Sequence, residues 1–288
     1  MVTIIGTHSG FDLARSISNQ NRLINTYELC LYEKQKFANG EFTVNIKESV
    51  RNKTVVIVSC PNDYEDVFEI LAAIDAAKRS SAKEIIALIP MLPMSRQERR
   101  GHGERTSITA RMSTAIEGFY NIPFDNIMPD NVFIDHIESK GIKNPIVVAP
   151  DFGATKRNKL YANELHADLA IINKERVKAN HVSDMQLIGD VKDRDVIIFD
   201  DIIDTGGTLR KASALLKEKG AKTINIYATH GIFSKHGLTL LRCDKNIDNV
   251  CVTNSLNKEI KNTLDKKFLT KLDVSLILHN AIQKIMKS

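Results

Sequence analysis

The segment VIIFDDIIDTGGT, residues 196–208, decides how the rest of the chain is read. Four apolar residues, Val196 to Phe199, run straight into adjacent carboxylates, Asp200 and Asp201. A third carboxylate follows at Asp204, and then Thr205, Gly206, Gly207 and Thr208 open a helical pattern. A short β-branched apolar run fits a strand buried in a parallel sheet, and ligands sit at the carboxyl ends of such strands. Glycines let successive backbone N–H groups turn toward a phosphate, threonine hydroxyls add donors, and a helix N-terminus adds partial positive charge. Ionised Asp200 and Asp201 only accept hydrogen bonds, which suits neighbouring sugar hydroxyls or a hydrated Mg²⁺. The plainer use of such a turn is helix capping by Asp204 and Thr205. Capping leaves the two consecutive carboxylates without a role. Residues 200, 201 and 204–208 therefore read as a site for a ribose 5-phosphate.

Outward from this segment, the helix of residues 208–219 ends at Gly220, and Thr223 to Ala228 forms the next strand. The first half repeats the plan. Val55 starts a buried strand, a helix covers residues 67–79 with Phe68, Leu71 and Ala72 at helical spacing, and a strand follows over residues 84–89. Strand starts at Val55 and Ile85, and at Val196 and Ile224, lie 30 and 28 residues apart. The punctuation also agrees, with Ser81, Ala82 and Lys83 answering Gly220, Ala221 and Lys222. Strands alternating with helices imply an α/β fold with parallel sheets. A break at Lys140 and Gly141 precedes a strand at residues 144–150, so domains of 1–142 and 143–288 are expected, closed by a docking helix over residues 274–286.

Composition bounds the function. The chain has 288 residues, 43% hydrophobic and 26% charged, as in ordinary globular proteins and unlike disordered ones. Its net charge of +5 is too small to imply a nucleic-acid partner by itself. No apolar run approaches the roughly 20 residues of a membrane helix. Cys30, Cys60, Cys243 and Cys251 lack metal-binding spacing, so buried reduced thiols and a cytoplasmic protein are expected.

Beyond the loop, several segments agree in order with one family. Residues 37–41 (FANGE) resemble Phe-x-Asp-Gly-Glu, and 95–98 (SRQE) resemble an Arg-Gln-Asp segment. Residues 118–123 (GFYNIP) resemble Gly-Phe-Phe-Asp-Ile-Pro, and 149–153 (APDFG) resemble Ser-Pro-Asp-x-Gly. Residues 174–176 (KER) match Lys-x-Arg, and 229–231 (THG) match Thr-His-Gly. Together with DDIIDTGGT, these make the chain similar to ribose-phosphate pyrophosphokinases over nearly its whole length.

The resemblance implies two tandem phosphoribosyltransferase type I-like domains, each a largely parallel sheet flanked by helices. It implies transfer of the diphosphoryl group of MgATP to the C1 hydroxyl of ribose 5-phosphate, leaving AMP. Arg96, Gln97, Phe37, Asn39 and Glu41 would contact ATP, with Phe37 and Glu41 around the adenine from a neighbouring subunit. Lys174 and Arg176 would sit on a loop closing over the phosphates as the catalytic pair, which spacing alone would read as a solvated charge run. The implied assembly is a homo-oligomer, most simply a dimer-based hexamer, with Mg²⁺ as cofactor. Two departures stand out, and the second bears on the metal. Asn39 stands where the family has Asp, and between Arg111 and Gly118 the chain lacks on the order of twenty residues that elsewhere form a strand closing on Asp-Leu-His. Neither His102 nor His136 stands in that histidine's context, so Asp151 is the remaining candidate ligand. The alternative expectations are a weak or inactive regulatory subunit co-assembling with a related chain and, less favoured, a simple phosphoribosyltransferase.

Overall fold

The computed structural model describes residues 2–20, 27–91, 123, 125–178, 181–258, 260 and 262–287, with the backbone alone at 174–178 and 181–184. They fall into two compact units. The first comprises Met1–Met128, Ser255–Asn257 and Ser275–Ser288, and the second Pro129–Asn254 and Lys258–Val274.

The first unit begins with β1 (Val2–Gly6), α1 (Phe11–Asn19) and β2 (Tyr27–Leu29). A hairpin of β3 (Tyr32–Lys36) and β4 (Phe42–Ile46) follows, then β5 (Thr54–Val58), α2 (Tyr64–Arg79) and β6 (Glu84–Leu88). The parallel sheet has the order β2-β1-β5-β6, while among the described residues β3 and β4 pair only with each other. Every residue of β1 and β5 is buried, as central strands covered on both faces require. The α2 helix starts at Asp63, whose side chain accepts from the Asp66 N–H, and ends with Lys78 and Arg79 complementing its dipole. Its inward face is Glu69, Ile70, Ala73 and Ala77, whereas Phe68 and Leu71 are 64% and 56% exposed. The helical spacing of Phe68 and Leu71 thus marked the outer side. Alanines 73 and 77, fully buried, let the helix axis approach Val55 and Ile57 more closely than large side chains would.

The second unit contains α3 (Asp130–Ser139), β7 (Pro145–Ala149), α4 (Thr155–Glu164), β8 (Asp168–Lys178) and β9 (His181–Ile188). It continues with β10 (Asp195–Ile203), α5 (Gly207–Glu218), β11 (Thr223–Gly231), α6 (Gly237–Arg242), β12 (Asn249–Thr253), α7 (Thr263–Phe268) and β13 (Leu269–Leu272). Its seven strands run in the order β13-β12-β11-β10-β7-β8-β9, all parallel except β9 against β8. Alternate residues of β10 feed two cores. Val196 and Ile198 pack with Leu209, Ala212 and Leu216 of α5. Ile197 and Phe199 pack with Phe133 and Ile137 of α3 and with Tyr161 of α4, whose ring stacks on Phe199 at 3.8 Å.

Parallel sheets flanked by helices are therefore found in both units. The units divide elsewhere than at residue 142, because α3 buries Phe133 and Ile137 in the core of the second unit. The last helix, α8 (Ser275–Ile285), returns to the first unit. There Ser275 Oγ accepts from Gln20 at 2.9 Å, and Gln283 donates to the Tyr27 hydroxyl at 2.9 Å.

The repeat read from the sequence has a structural counterpart. Val55 pairs with Ile85 and Val196 with Ile224, at the expected offsets. Both helices end on a residue with positive φ, Ser81 at 60° and Gly220 at 88°. The next N–H, of Ala82 or Ala221, returns to the carbonyl of Ala77 or Leu216 at 3.1 and 3.0 Å. Ser81 and Gly220 then accept from Asn52 and Asp193, themselves both at φ 57°. All four cysteines are free as expected, though Cys243 is exposed rather than buried.

Candidate functional site

β10 continues past its apolar run, through Asp200 and Asp201 to Ile203. β7 accompanies it only to Ile198, whereas β11 pairs with it as far as Ile203 opposite Gly231. From Asp200 onward, the β7 side of the strand is thus free of ladder bonds. The chain leaving β7 turns at Asp151, whose Oδ1 accepts from the Ala154 N–H at 3.0 Å. Asn158, 1% exposed, donates to the carbonyls of Ala154 at 3.0 Å and Phe199 at 3.2 Å. That side chain staples the Asp151 turn and α4 to β10, one residue before Asp200. Burial first, then the Asp201 carboxylate, and last the charge of Asp151 push Asp200 up to about 7. The Asp201 N–H, donating to Asp200 Oδ1 at 2.9 Å, only partly opposes this.

The turn after β10 requires a glycine at 206 but not, by space or backbone, at 207. Gly206 has φ 74° and ψ −1°, in the left-handed region, and precedes the first residue of α5. A Cβ there would meet the Leu241 side chain at 2.9–3.3 Å. Gly207 faces open space, with only Thr205 Oγ1 as near as 3.9 Å to a built Cβ. No side chain caps α5 and its first turn holds no acidic residue, so its leading N–H groups keep their donor capacity and positive field. Thr205, Gly207 and Thr208 are exposed and Asp204 is half-buried. Gly237 of α6 lies beneath the turn, where a Cβ would come within 2.4 Å of the Asp204 carbonyl oxygen.

Three neighbouring residues were not singled out as site residues by sequence reasoning: Asn158, Arg157 and His230. Arg157 donates from Nη2 to Thr229 Oγ1 at 3.4 Å and lies 3.6 Å from Asp130 Oδ1. Its Nε is buried with no hydrogen-bond partner among the described residues. His230 pairs in register with Ile202 and is pushed down to about 4 by burial first; Asp201 opposes that shift and Arg157 adds to it. The imidazole is therefore neutral at physiological pH. No local pattern marks Arg157 and Asn158, whose partners Thr229 and Phe199 lie 72 and 41 residues away.

The structure brings Asp151, Asp200, Asp201 and residues 204–208 together at the carboxyl ends of β7 and β10. Lys174 and Arg176 lie on β8, on a strand rather than the expected loop. β7 pairs with β8 only up to Ile171, so beyond it β8 and β9 form a two-stranded ribbon with register breaks at 175/176 and between 176 and 178. Such a ribbon satisfies its own backbone groups, which a bare loop would not. Phe37, Asn39 and Glu41 form the tip of the β3–β4 hairpin. The Phe37 N–H donates to the Glu41 carbonyl at 2.7 Å, and Asn39 Oδ1 accepts from the Glu41 N–H at 3.1 Å. Arg96, Gln97, His102 and the stretch between Arg111 and Gly118 lie outside the described residues. Among the described residues, no three His, Cys, Asp or Glu side chains form a ready metal cage, and no helix is long and apolar enough to cross a membrane.

Comparison with known proteins follows the same lines. Residues 2–117 match the N-terminal domain of ribose phosphate pyrophosphokinase, and residues 176–288 match the phosphoribosyl synthetase-associated domain. The ribose-phosphate pyrophosphokinase of Helicobacter pylori is 34% identical over 302 residues, covering 98% of this chain and 88% of that one. The Haemophilus influenzae protein of the same name is 39% identical over 275 residues, covering 87% and 86%. The 302-residue alignment exceeds the length of this chain, so the Helicobacter protein carries residues with no counterpart here. The crystal structure of phosphoribosylpyrophosphate synthetase from Mycobacterium smegmatis superposes with a TM-score of 0.84 at 30% identity, covering 99% of each chain. With such identity across nearly all of its length, and with carboxylates and an uncapped glycine turn at one strand end, the chain belongs to the ribose-phosphate pyrophosphokinase family of transferases.

Proposed function

We propose that the chain transfers the β,γ-diphosphoryl group of ATP to the C1 hydroxyl of ribose 5-phosphate, giving phosphoribosyl pyrophosphate and AMP. One observation carries the reading. A helix with no side-chain cap starts at left-handed Gly206, directly after a strand whose last turns carry Asp200 and Asp201. The 5-phosphate would lie on the leading N–H groups of α5 and the hydroxyls of Thr205 and Thr208, with Asp204 bordering the turn. Asp200 and Asp201 would accept from the ribose hydroxyls and so orient O1. In the reaction O1 bonds to the β-phosphorus as the bond from that phosphorus to the α,β-bridging oxygen breaks. The bridging oxygen leaves with AMP, and the proton of the hydroxyl passes to solvent. Displacement of this kind depends on positioning and charge neutralisation more than on covalent help. Lys174 and Arg176 would neutralise the transferring phosphates. Phe37, Asn39, Glu41, Arg96 and Gln97 would hold the nucleotide.

The donor set fits Mg²⁺. Burial first, and then the neighbouring carboxylates of Asp201 and Asp151, raise Asp200, and a hard cation relieves the part that is repulsion. With no ready cage, an ion held largely by water and substrate oxygens is the arrangement that suits Mg²⁺. When bound, the ion neutralises phosphate charge. We further read the protein as cytoplasmic, which its four unbridged cysteines support, and as a homo-oligomer built from dimers, most simply a hexamer.

The test is incubation of the purified chain with Mg²⁺, ATP and ribose 5-phosphate, followed by phosphorus NMR. One AMP should form per phosphoribosyl pyrophosphate, and only when the sugar is present. Absence of sugar-dependent AMP would overturn the reading.

A further inference from the structure

In the first unit a charged residue occupies a place where apolar packing would do. Glu69, on the inward face of α2 beside Ile70 and Ala73, is fully buried. Its Oε1 accepts from the His8 N–H at 2.7 Å and its Oε2 from Lys34 Nζ at 2.8 Å. Lys34, on β3, also reaches Glu65 Oε1 at 2.7 Å, and Lys36 reaches Glu65 Oε2 at 2.8 Å. Lys34 Nζ further lies 4.5 Å from the centre of the Phe42 ring on β4, so one ammonium ties both strands of the hairpin to α2. Burial alone would lower Lys34, yet Glu65 and Glu69 outweigh it and leave the group raised and charged.

A buried ion pair is a poor way to gain stability, because desolvating both charges offsets their attraction and an apolar pair of equal volume often does as well. Its distinctive capacity is to fix geometry. That matters here because, among the described residues, β3 and β4 pair with no other strand, and a two-stranded ribbon without further ladder bonds relies on side chains such as Tyr32, Ile46 and Lys34 to hold its place. The tip is internally braced, with the Phe37 and Gly40 N–H groups donating within it to Glu41 and Phe37. It therefore moves as one piece with the ribbon. The other Glu69 oxygen grips the turn between β1 and α1, where Thr7 donates to Ser59 at 2.9 Å at the strand ends of the sheet. Glu69 thus references the hairpin to those strand ends.

We propose that Glu69 is a positioning residue for the nucleotide, acting through Lys34 to set where the Phe37–Glu41 tip presents its contacts. The inference rests on reading that tip as nucleotide-contacting. The tip begins three residues beyond the Lys34 anchor, about 10 Å along a strand, so a tilt of roughly 6° displaces it by about 1 Å. A displacement of that size is enough to cost up to about a hundredfold when contacts must be exact.

The experiment compares Glu69→Gln, Lys34→Met and Lys34→Arg in the full chain. Glu69→Gln and Lys34→Met should raise KM for ATP about five- to tenfold, with KM for ribose 5-phosphate and kcat within about twofold, and Lys34→Arg should restore most of the loss. A parallel readout uses spin labels at Ala38→Cys and Lys78→Cys in a Cys243→Ser background, where the remaining native cysteines are buried. The distance distribution should broaden in Glu69→Gln. An unchanged distribution, or equal rises in both KM values, would overturn the positioning role of Glu69. Broadening with ATP KM unchanged in Glu69→Gln and in Phe37→Ala would instead show that the hairpin does not serve the nucleotide, and the proposal would fall with that reading.

Discussion

In the second unit, the residues read as sugar-phosphate ligands lie at the end of a strand laddered into the sheet and on the turn and helix start that follow it. In the first, the residues read as nucleotide ligands lie at the tip of a ribbon joined to its unit by side chains, through the Lys34 ion pairs and through Tyr32 and Ile46 packed on the core. The contrast does not arise from different local folding rules, since the helices before β6 and β11 end in the same positive-φ device with the same returning bonds. It arises from what each loop is fastened to. Backbone ladders tolerate surface charge changes, whereas a ribbon held by Lys34, Glu65 and Glu69 should not.

The contrast can be broken or sharpened at four places. Gly206→Val forces a β-branched residue into left-handed backbone against Leu241, and should lower kcat/KM for ribose 5-phosphate by about a hundredfold or more while leaving the ATP KM little changed. Steady-state kinetics with each substrate varied checks this. Asn158→Ala removes the staple between α4 and β10 and leaves the Phe199 carbonyl buried without that donor. A loss of about 1–3 kcal/mol in denaturant unfolding is expected, with a weakened sugar site.

Asp200→Asn should separate stability from function. The folded value of Asp200 lies above its unfolded value of 3.8, so its contribution is complete below 3.8 and is lost as pH rises through about 7. The variant should therefore be more stable than the parent at pH 8.5, by roughly 1 kcal/mol, with no such gain at pH 3.5. His230 has the opposite sign. Its folded value is lowered, so its contribution is complete above 6.5 and is lost as pH falls through about 4, and Asp200→Asn should leave that acid limb in place. Thermal unfolding across pH reads both limbs. The smallest effects belong to the paired helix ends. Ser81→Gly should stabilise and Gly220→Ser destabilise, each by up to about 1 kcal/mol, because only glycine holds positive φ without a Cβ penalty. Equal and opposite shifts in unfolding midpoints would show that the two ends are equivalent.

Much of this was legible in the letters. The β-branched runs at 55–58 and 196–199 announced buried strands, and Gly206 and Gly207 announced the turn, because these features depend on local backbone chemistry. The outward Phe68 and Leu71 were not legible, since only the sheet's demand for small residues at Ala73 and Ala77 decides which side of α2 faces in. Nor was the assignment of α3 and α8 to units, which depends on the surface each finds to bury. Arg157, Asn158 and His230 escaped because their roles come from partners 41 to 72 residues away or from neighbouring strands, which no local pattern records.

The most direct test of the central claim is calorimetric titration of ribose 5-phosphate into the full chain and into Gly206→Val, with ATP titrated into both as a control. If the turn between β10 and α5 holds the sugar phosphate, the parent binds it and Gly206→Val does not, while both bind ATP alike. Equal ribose 5-phosphate affinity in the two proteins would contradict the account.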